Sequence, residues 1–271
     1  MNEGRRSRVS IALAALLWST GGTAIKLAGV GGAYVAVGRA ALAALTLLAV
    51  LPESRRWPTP RMALTALAYA VTCTLFVFAN IHTTAASAIF IQNTAPVWVL
   101  LMAPWVTGER PTRAEIWSLP PCLIGAGLFF VDAGASGRLL GNALAAAASL
   151  TYAVQISMYR KLSTAEGLAA SVWGNFLLVL VVLPFAGSIE LDRSFVLAIL
   201  WLGIFQQALA VTLFIRGIRG VSALEAALLT LLEPVLAPAW AYLFLGETIG
   251  FFGLLGGGLI MAATLWRMRA K

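Results

Sequence analysis

Residues 96–109, PVWVLLMAPWVTGE, and residues 234–247, PVLAPAWAYLFLGE, decide the fold because they repeat one pattern in the two halves of the chain. In each copy the glycine of a Gly-Glu pair follows the proline by 12 residues, and the copies lie 138 residues apart in a 271-residue sequence. A proline inside an apolar helix removes a backbone donor and breaks the helix. Matching proline-interrupted segments in two apolar halves are typical of secondary transporters, where they indicate the binding site.

The composition indicates a membrane protein. The chain is 60% hydrophobic and 11% charged, with a mean hydropathy of +0.88, whereas roughly a quarter of the residues of a soluble domain are charged. The net charge of +8 does not indicate nucleic-acid binding, because the basic residues fall at the ends of apolar segments, where they orient membrane helices. Cys73 and Cys122 lie inside apolar segments, which favours packing over a disulfide or a metal site.

Turn residues and charges divide the chain into ten apolar segments, each near the ~20 residues that span a bilayer. The predicted spans are residues 9–28, 34–51, 62–81, 84–106, 114–131, 139–159, 168–187, 194–215, 222–245 and 250–266. The first is predicted to be a retained helix, because its apolar run of about 20 residues is longer than that of a signal peptide. Strand-like alternation is absent from the sequence, so the predicted fold class is all-α integral membrane.

The positions of Lys and Arg predict the orientation of these spans. Fifteen basic residues fall on one set of alternating connections, and only Arg138 and Arg193 fall on the other. This bias predicts that both termini are cytoplasmic. Five spans per half is an odd number, so residues 138–271 are predicted to form an inverted copy of the five-helix repeat in residues 1–133. Exchanging the conformations of two inverted repeats converts an outward-open state into an inward-open state.

Several short motifs resemble the EamA family of the drug/metabolite transporter superfamily, and the resemblance covers essentially the whole chain. The motifs are Leu17-Trp18-Ser19, Ala24-Ile25-Lys26, Arg39, Thr84-Ala85-Ala86-Ser87-Ala88 ahead of Pro96, and Leu232-Glu233-Pro234-Val235 ahead of Gly246-Glu247. The resemblance implies a ten-helix transporter of the bacterial cytoplasmic (inner) membrane, usually an exporter of amino acids or other small metabolites. It also implies a cavity walled by spans 1–4 and 6–9, with spans 5 and 10 peripheral. Ala95 stands where the second repeat has Glu233, so a carboxylate mechanism at this depth would be one-sided.

Two acidic residues in span 9 are candidates for a coupling or charge role. Glu225 and Glu233 are eight residues apart and therefore share a helix face. Glu233, beside Pro234 near the bilayer midplane, could exchange a proton or bind a substrate ammonium group. Alternatively, Glu233 hydrogen-bonds the backbone that Pro234 loosens, or it pairs permanently with a basic residue. Glu225 is expected to pair with Arg219 or Arg216.

Two basic residues, Lys26 and Arg39, are predicted to approach the outer face, where long side chains usually extend toward the interface. Arg39 could hold a substrate carboxylate at the outer mouth of the cavity or pair with a helix end. The second of these roles is structural.

The other candidates for the substrate cavity are polar or aromatic side chains inside predicted spans, where polar groups are costly and usually face a cavity or a partner. They are Trp18, Asn80, Gln92, Asn93, Trp98, Tyr152, Gln155, Trp173, Asn175, Gln206 and Gln207. Amides near Pro96 could bond an amino acid's ammonium or carboxylate group, or could simply join helices. Adjacent glutamines point about 100° apart on a helix, so at most one of Gln206 and Gln207 is expected to face the cavity squarely. The deeper aromatic rings could stack on a ligand or fill space.

Four functions are compatible with a multi-span chain of this kind. A small-metabolite exporter is favoured, and a lipid-linked sugar flippase and a passive channel are the alternatives within transport. An intramembrane transferase or isomerase would need clustered acids or a nucleophilic set, and this chain has only isolated acids in its predicted spans and a single histidine, so no enzyme is predicted. Lack of a Gly-rich phosphate loop predicts that ATP is not the energy source. The predicted partners are a small-molecule substrate and the lipid bilayer, without cofactor, metal or nucleic acid, and a homodimer is left open.

Overall fold

The computed structural model describes residues 3–29, 31–82, 85–133, 139–187, 192–246 and 250–269, and every regular element in them is helical. The α-helices are α1 (Glu3–Ser19), α2 (Gly21–Leu27), α3 (Gly32–Val50), α4 (Pro60–His82), α5 (Ala85–Gln92), α6 (Ala95–Val106), α7 (Arg113–Ala133), α8 (Leu139–Lys161), α9 (Thr164–Val182), α10 (Arg193–Leu200), α11 (Ala210–Gly217), α12 (Ala223–Thr230), α13 (Leu232–Leu245) and α14 (Phe251–Arg269). A π-helical segment, Trp201–Leu209, joins α10 to α11. Short 3₁₀ turns occupy Pro52–Ser54, Leu183–Phe185 and Ile218–Gly220.

Seven helical stretches in the described part of the chain are long and apolar enough to cross a membrane. They are Glu3–Leu27, Gly32–Val50, Pro60–Ala79, Leu139–Lys161, Thr164–Phe185, Arg193–Gly220 and Ala223–Leu245. These stretches coincide with predicted spans 1, 2, 3, 6, 7, 8 and 9. Two shorter apolar helices, Ala95–Val106 and Leu254–Ala263, fall in predicted spans 4 and 10. The chain is therefore a multi-pass membrane protein, while the count of ten spans and the side of the termini stay predictions.

The helix ends explain why the Gly-Glu pair recurs. Gly108 follows α6 with a φ of 75°, and Gly246 follows α13 with a φ of 68°. This left-handed conformation strains residues that carry a Cβ atom, and glycine adopts it readily as a helix terminator. The Gly108 N–H bonds the Ala103 carbonyl at 3.0 Å, and the Gly246 N–H bonds the Tyr242 carbonyl at 3.0 Å. The glycines therefore end two equivalent helices, whereas Glu247 lies outside the described residues.

The two spans that contain Pro96 and Pro234 are broken at equivalent positions. In span 4, α5 ends at Gln92 and α6 begins at Ala95, and in span 9, α12 ends at Thr230 and α13 begins at Leu232. Gln92 and Thr230 are separated by the same 138 residues as the two prolines. Because proline has no N–H, the carbonyls of Gln92 and Thr230, four residues ahead, lose their usual donor. The break between α1 and α2 and the π-helical segment in span 8 were not predicted.

Helices of the first half pack mainly against helices of the second half. Helix α1 contacts α11, α12 and α13, α3 and α4 contact α9, and α4, α5 and α6 contact α8. The main hydrophobic core accordingly combines Ile11 and Leu47 from the first half with Tyr159, Phe214 and Leu228 from the second. The two halves are thus interleaved, which brings polar side chains from both into one interior.

The pair formed by α7 and α14 depends on a close approach of two glycines. A Cβ atom on Gly125 would lie 2.6 Å from the Gly256 carbonyl oxygen and 2.7 Å from Cγ1 of Ile260. Small residues allow membrane helices to approach this closely. In contrast, Gly258, two residues further along α14, has nothing within 4 Å of a Cβ position.

Alanine substitutions at Gly256 and Gly258 are expected to change stability in opposite directions. Gly256→Ala forces α14 away from α7, which we expect to cost about 1–3 kcal/mol, as overpacking does. Gly258→Ala lies in open space on the same helix, so it should gain about 0.5–1 kcal/mol from the higher helix propensity of alanine. Melting temperatures of the two purified variants in detergent check this. An increase for both variants would contradict the close approach.

Candidate functional site

Four side chains from four helices form a polar group in the interior, which we call the Arg39 cluster: Arg39 of α3, Tyr69 of α4, Tyr152 of α8 and Glu233 of α13. Arg39 interacts electrostatically with both Tyr69 and Glu233. Tyr152 lies in the field of Glu233, and its hydroxyl group lies near the side chain of Thr230 at the end of α12. The cluster therefore joins the proline break of span 9 to helices of both halves.

Arg39 and Glu233 interact through space without a direct ion pair. Both residues are described, and no N–O distance between their charged groups is 4.0 Å or less. The charge of Arg39 acts on Glu233, a carboxylate of the opposite half, while its place at the outer mouth of the cavity or at a helix end stays a prediction. A permanent direct pair of Glu233 with a basic residue is also not what the structure shows. Two opposite charges held in this way can each face a third, ionic group.

Tyr69 is fixed by a residue that the sequence indicated as a cavity candidate. Asn175 is fully buried, and its Oδ1 accepts a hydrogen bond from the Tyr69 hydroxyl at 3.1 Å. Its Nδ2 donates to the Ser171 carbonyl at 2.9 Å. Gly174 lets α9 approach this tyrosine, since a Cβ there would lie 2.7 Å from its ring. Asn175 is thus a positioning residue for Tyr69. Sequence reasoning selected Asn175 but missed Tyr69, the member of the cluster.

Helix α8 presents a polar face to the same interior. Tyr152, Gln155 and Tyr159 follow at intervals of three and four residues, which places them on one side of the helix. The Tyr159 hydroxyl lies 2.7 Å from Ser171 Oγ, and its ring packs edge-on against Phe214 at 6.3 Å. Sequence reasoning selected Tyr152 and Gln155 but missed Tyr159, although the seven-residue spacing of the two tyrosines was a usable signal.

At the break in span 4, nearby polar side chains bond the local backbone. Asn93 is 8% exposed, and its Nδ2 donates to the Ile89 carbonyl at 2.9 Å. Thr94 Oγ1 donates to the Ile91 carbonyl at 2.6 Å and lies 3.0 Å from Ser149 Oγ of α8. Both residues therefore stabilise the interrupted helix. Gln92 is half-buried at the end of α5.

Gln206 and Gln207 lie in the π-helical segment and are 6% and 8% exposed. Gln206 packs against α2, because a Cβ on Gly21 would lie 2.9 Å from its Nε2 atom. Both side chains are buried, although only one was expected to face the interior squarely. Such π-helical segments are rare and frequently occur at functional sites.

The remaining candidates lie in several different settings. Trp18 and Trp98 pack against the main core, and the Trp18 ring lies 5.3 Å from that of Phe214. Trp173 was predicted to lie deep in its span, but its indole donates to the Arg56 carbonyl at 2.9 Å and its ring packs on Trp57. Lys26 is exposed on α2. Asn80 belongs to α4, but its side chain lies outside the described residues.

A second polar group, which we call the Glu109 network, consists of Glu109, Glu115, Arg160 and Ser222. Glu109 Oε1 accepts from Arg160 Nε at 2.7 Å, and its Oε2 accepts from the backbone N–H of Ala223 at 2.9 Å. Glu115 is buried and accepts from the Ser222 hydroxyl. The Glu109 carboxylate thereby stabilises the positive N-terminal end of α12. This contact gives the Glu of the first Gly-Glu pair a specific partner in the other half.

Three ion pairs of the described residues each join the first half to the second. They are Arg160–Glu109 at 2.7 Å, Arg8–Glu225 at 2.7 Å and Arg216–Glu53 at 3.4 Å. The expected pairing of Glu225 with Arg219 or Arg216 is wrong, because α1 packs on α12 and brings Arg8 to this carboxylate. Arg219 instead donates to the carbonyls of Arg160 at 3.0 Å and Leu162 at 2.6 Å. The start of α12 is therefore held by contacts from α1 and from the connection after α6.

These features define a multi-pass, all-helical membrane protein whose two halves share a charged interior. The profile of the EamA-like transporter family matches residues 7–131 and 139–268, and the chain belongs to this family. An uncharacterized transporter of Clostridium kluyveri is 27% identical over 198 residues, 68% of this chain and 63% of that protein, so the match spans under two thirds of the relative. An uncharacterized transporter of Archaeoglobus fulgidus is 28% identical over 200 residues, 73% of each chain.

A solved structure supports the fold. One crystal structure, described only as that of a protein, superposes with a TM-score of 0.82 over 96% of this chain and 95% of that chain. The two sequences are 19% identical, so the similarity shows the fold alone.

Removing one charge of the Arg39 cluster should cost more than removing both. Arg39→Gln or Glu233→Gln leaves the other charge without its counterpart inside the bundle, which is strongly unfavourable. We expect the double variant to melt at a higher temperature than either single variant, with a coupling energy of about 0.5–3 kcal/mol. Thermal unfolding of the four proteins in detergent measures this coupling. Strictly additive changes would show that the two side chains do not interact.

Glu109→Gln should weaken the junction between the halves, because it removes the charge that faces Arg160 and the start of α12. We expect a loss of about 1–2 kcal/mol in unfolding free energy. Glu53→Gln is the matched control, since the Glu53–Arg216 pair is more exposed and longer, and should change stability by less than about 0.5 kcal/mol. Equal losses for the two variants would contradict the importance of the Glu109 network.

Proposed function

We propose that this protein is a secondary, alternating-access exporter of amino acids or related small metabolites. The observation that carries the proposal is that the charges of Arg39 and Glu233, from opposite halves, act on each other although the two side chains form no direct ion pair. An amino acid carries a carboxylate and an ammonium group, which are the counterparts of these two side chains. Membership of a transporter family supports transport as the activity.

Binding of such a zwitterion would use charges that are already in place. The substrate carboxylate would face Arg39, whose guanidinium group suits carboxylates. The ammonium group would face Glu233 and the carbonyl that Pro234 leaves without its donor, that of Thr230. Tyr152 lies beside both of these acceptors. The substrate would therefore bind at the break of span 9 between the two halves.

The Glu109 network suggests how access changes. Alternating access requires that contacts between the halves open at one end while they close at the other. The pairs Arg160–Glu109 and Arg8–Glu225 hold the start of α12, and the predicted orientation places this end in the cytoplasm. In this proposal these contacts separate when the cavity opens to the cytoplasm.

The remaining parts of the proposal come from the sequence. Residues 1–133 and 138–271 form inverted five-helix repeats, ten spans cross the bacterial inner membrane, and both termini are cytoplasmic. Transport uses an ion or substrate gradient and not ATP, and no chemical reaction is catalysed. The matching breaks after Gln92 and Thr230 support the repeat, because two equivalent helices are interrupted at equivalent positions.

The decisive experiment uses the purified protein in liposomes loaded with single unlabelled amino acids. We expect saturable uptake of the same labelled amino acid in exchange for at least one member of the panel. We also expect net movement out of the cytoplasmic face, with a rate that depends on an imposed pH gradient. Glu233→Gln should lower this exchange by at least about tenfold, whereas Glu53→Gln, far from the Arg39 cluster, should leave it unchanged.

Each other outcome has a definite meaning. If no amino acid is exchanged while a fluorescent lipid-linked sugar crosses the bilayer, the protein is a flippase and not an amino-acid exporter. Flux without saturation or exchange would indicate a channel. If Glu233→Gln exchanges at the wild-type rate, Glu233 has no part in transport.

A further inference from the structure

Gln155 is buried in the middle of the polar face of α8, and part of its amide group has no partner. The residue is 7% exposed, and its Oε1 atom has no hydrogen-bond donor among the described residues. A buried acceptor left in this state costs about 1–3 kcal/mol. Such an atom in a native protein calls for an explanation, and one explanation is that a ligand supplies its hydrogen-bond donor.

The neighbouring hydroxyl groups fix which way this amide points. Ser171 Oγ donates its proton to the Gly167 carbonyl at 3.0 Å. The Tyr159 hydroxyl, 2.7 Å from Ser171 Oγ, must therefore be the donor of that contact. The phenol oxygen then has only lone pairs left for Gln155, whose amide approaches it. The NH₂ group is therefore the end of the amide that suits Tyr159, which agrees with Oε1 being the atom without a partner.

The open oxygen lies close to the Arg39 cluster. Gln155 follows Tyr152 by one turn on the same face of α8, and side chains at this spacing have Cβ atoms about 5–6 Å apart. Tyr152 in turn lies beside Glu233 and Thr230. A group attracted to Glu233 would therefore meet a second acceptor, a neutral one, within the length of a small metabolite.

We propose that Gln155 Oε1 accepts an N–H hydrogen bond from the substrate's ammonium group. This inference rests on the proposed function and deepens it, because it assigns a neutral acceptor to the group that Glu233 attracts. Tyr159 and Ser171 are positioning residues for it. The hydrogen bonds from Tyr159 to Ser171 and from Ser171 to Gly167 favour the amide orientation that can accept from a donor. When no substrate is bound, the Gln155 Oε1 atom then has no hydrogen-bond partner.

The other unpartnered atoms in the described residues fit this role less well. Gln206 Oε1 lies in the π-helical segment, and its side chain packs against Gly21 of α2. Ser157 Oγ is completely buried on α8. Because Ser157 follows Gln155 by two residues, its side chain points about 200° away from that of Gln155 around the helix. Ser157 is therefore a matched control, because it carries the same defect on the opposite face of the same helix.

Two measurements on Gln155→Met test the inference. Methionine has a similar shape without the amide, so the substrate-free variant should melt at a higher temperature in detergent than the wild-type protein. In liposomes, the half-saturating concentration of the best amino acid of the panel should rise at least about tenfold, as expected for a lost hydrogen bond to a charged group. Ser157→Ala should also melt no lower than wild type, but with unchanged half-saturation.

The outcomes separate this inference from the proposed function. A lower melting temperature for Gln155→Met shows that Oε1 already has a partner in the empty protein and overturns the inference. A higher melting temperature with unchanged half-saturation overturns it as well, because the acceptor is then open but unused. A wild-type protein that exchanges no amino acid refutes the proposed function, and with it the ammonium as ligand. The melting comparison in that case still decides whether the acceptor is open.

Discussion

A chain inside a bilayer has no water to satisfy its backbone N–H and C=O groups, and the whole structure follows from this constraint. The described residues meet it by forming helices, and polar side chains bond backbone carbonyls near both proline breaks, while the carbonyls of Gln92 and Thr230 stay without their usual helical donors. Asn93 and Thr94 bond carbonyls of the preceding turn at the first proline break, and the Thr230 hydroxyl bonds the Ala227 carbonyl at 2.8 Å at the second. Interruptions that need this much compensation are costly, so their recurrence in both halves indicates that the breaks themselves are needed.

Much of this arrangement follows from local sequence, and the central contacts do not. Apolar segments and prolines predicted most spans and both breaks, because each depends on a few neighbouring residues. Contacts such as Tyr69 with Asn175, 106 residues apart, or Arg8 with Glu225, 217 apart, depend on how the halves interleave. Span lengths alone cannot give that packing. For the same reason the electrostatic link between Arg39 and Glu233 was not predicted.

Buried polar groups in this protein fall into two kinds, and the distinction identifies the candidate site better than polarity alone. Asn175 uses both ends of its amide, and Glu115 accepts from both Thr112 and Ser222, so these residues fasten helices to one another. Arg39 and Glu233 share an interior without a direct pair, and Gln155 keeps an open oxygen. Fully satisfied groups stabilise one arrangement of the bundle. Incompletely satisfied groups reduce stability, which is a common property of functional sites.

Helix α12 connects the two kinds of group. Its first N–H bonds Glu109, its first turn carries Glu225 bound to Arg8, and its last residue, Thr230, interacts with Tyr152. Glu233 follows one short break later, at the start of α13. Because eight residues of helix form a short rigid element, a shift at the Glu109 network moves Thr230 as well, and it reaches Glu233 unless the break at Leu231 absorbs it. The equivalent helix of the first half, α5, ends at Gln92 and is followed by Ala95. Among the described residues, the second half therefore links an interhelical ion pair to a carboxylate in the interior, and the first half does not.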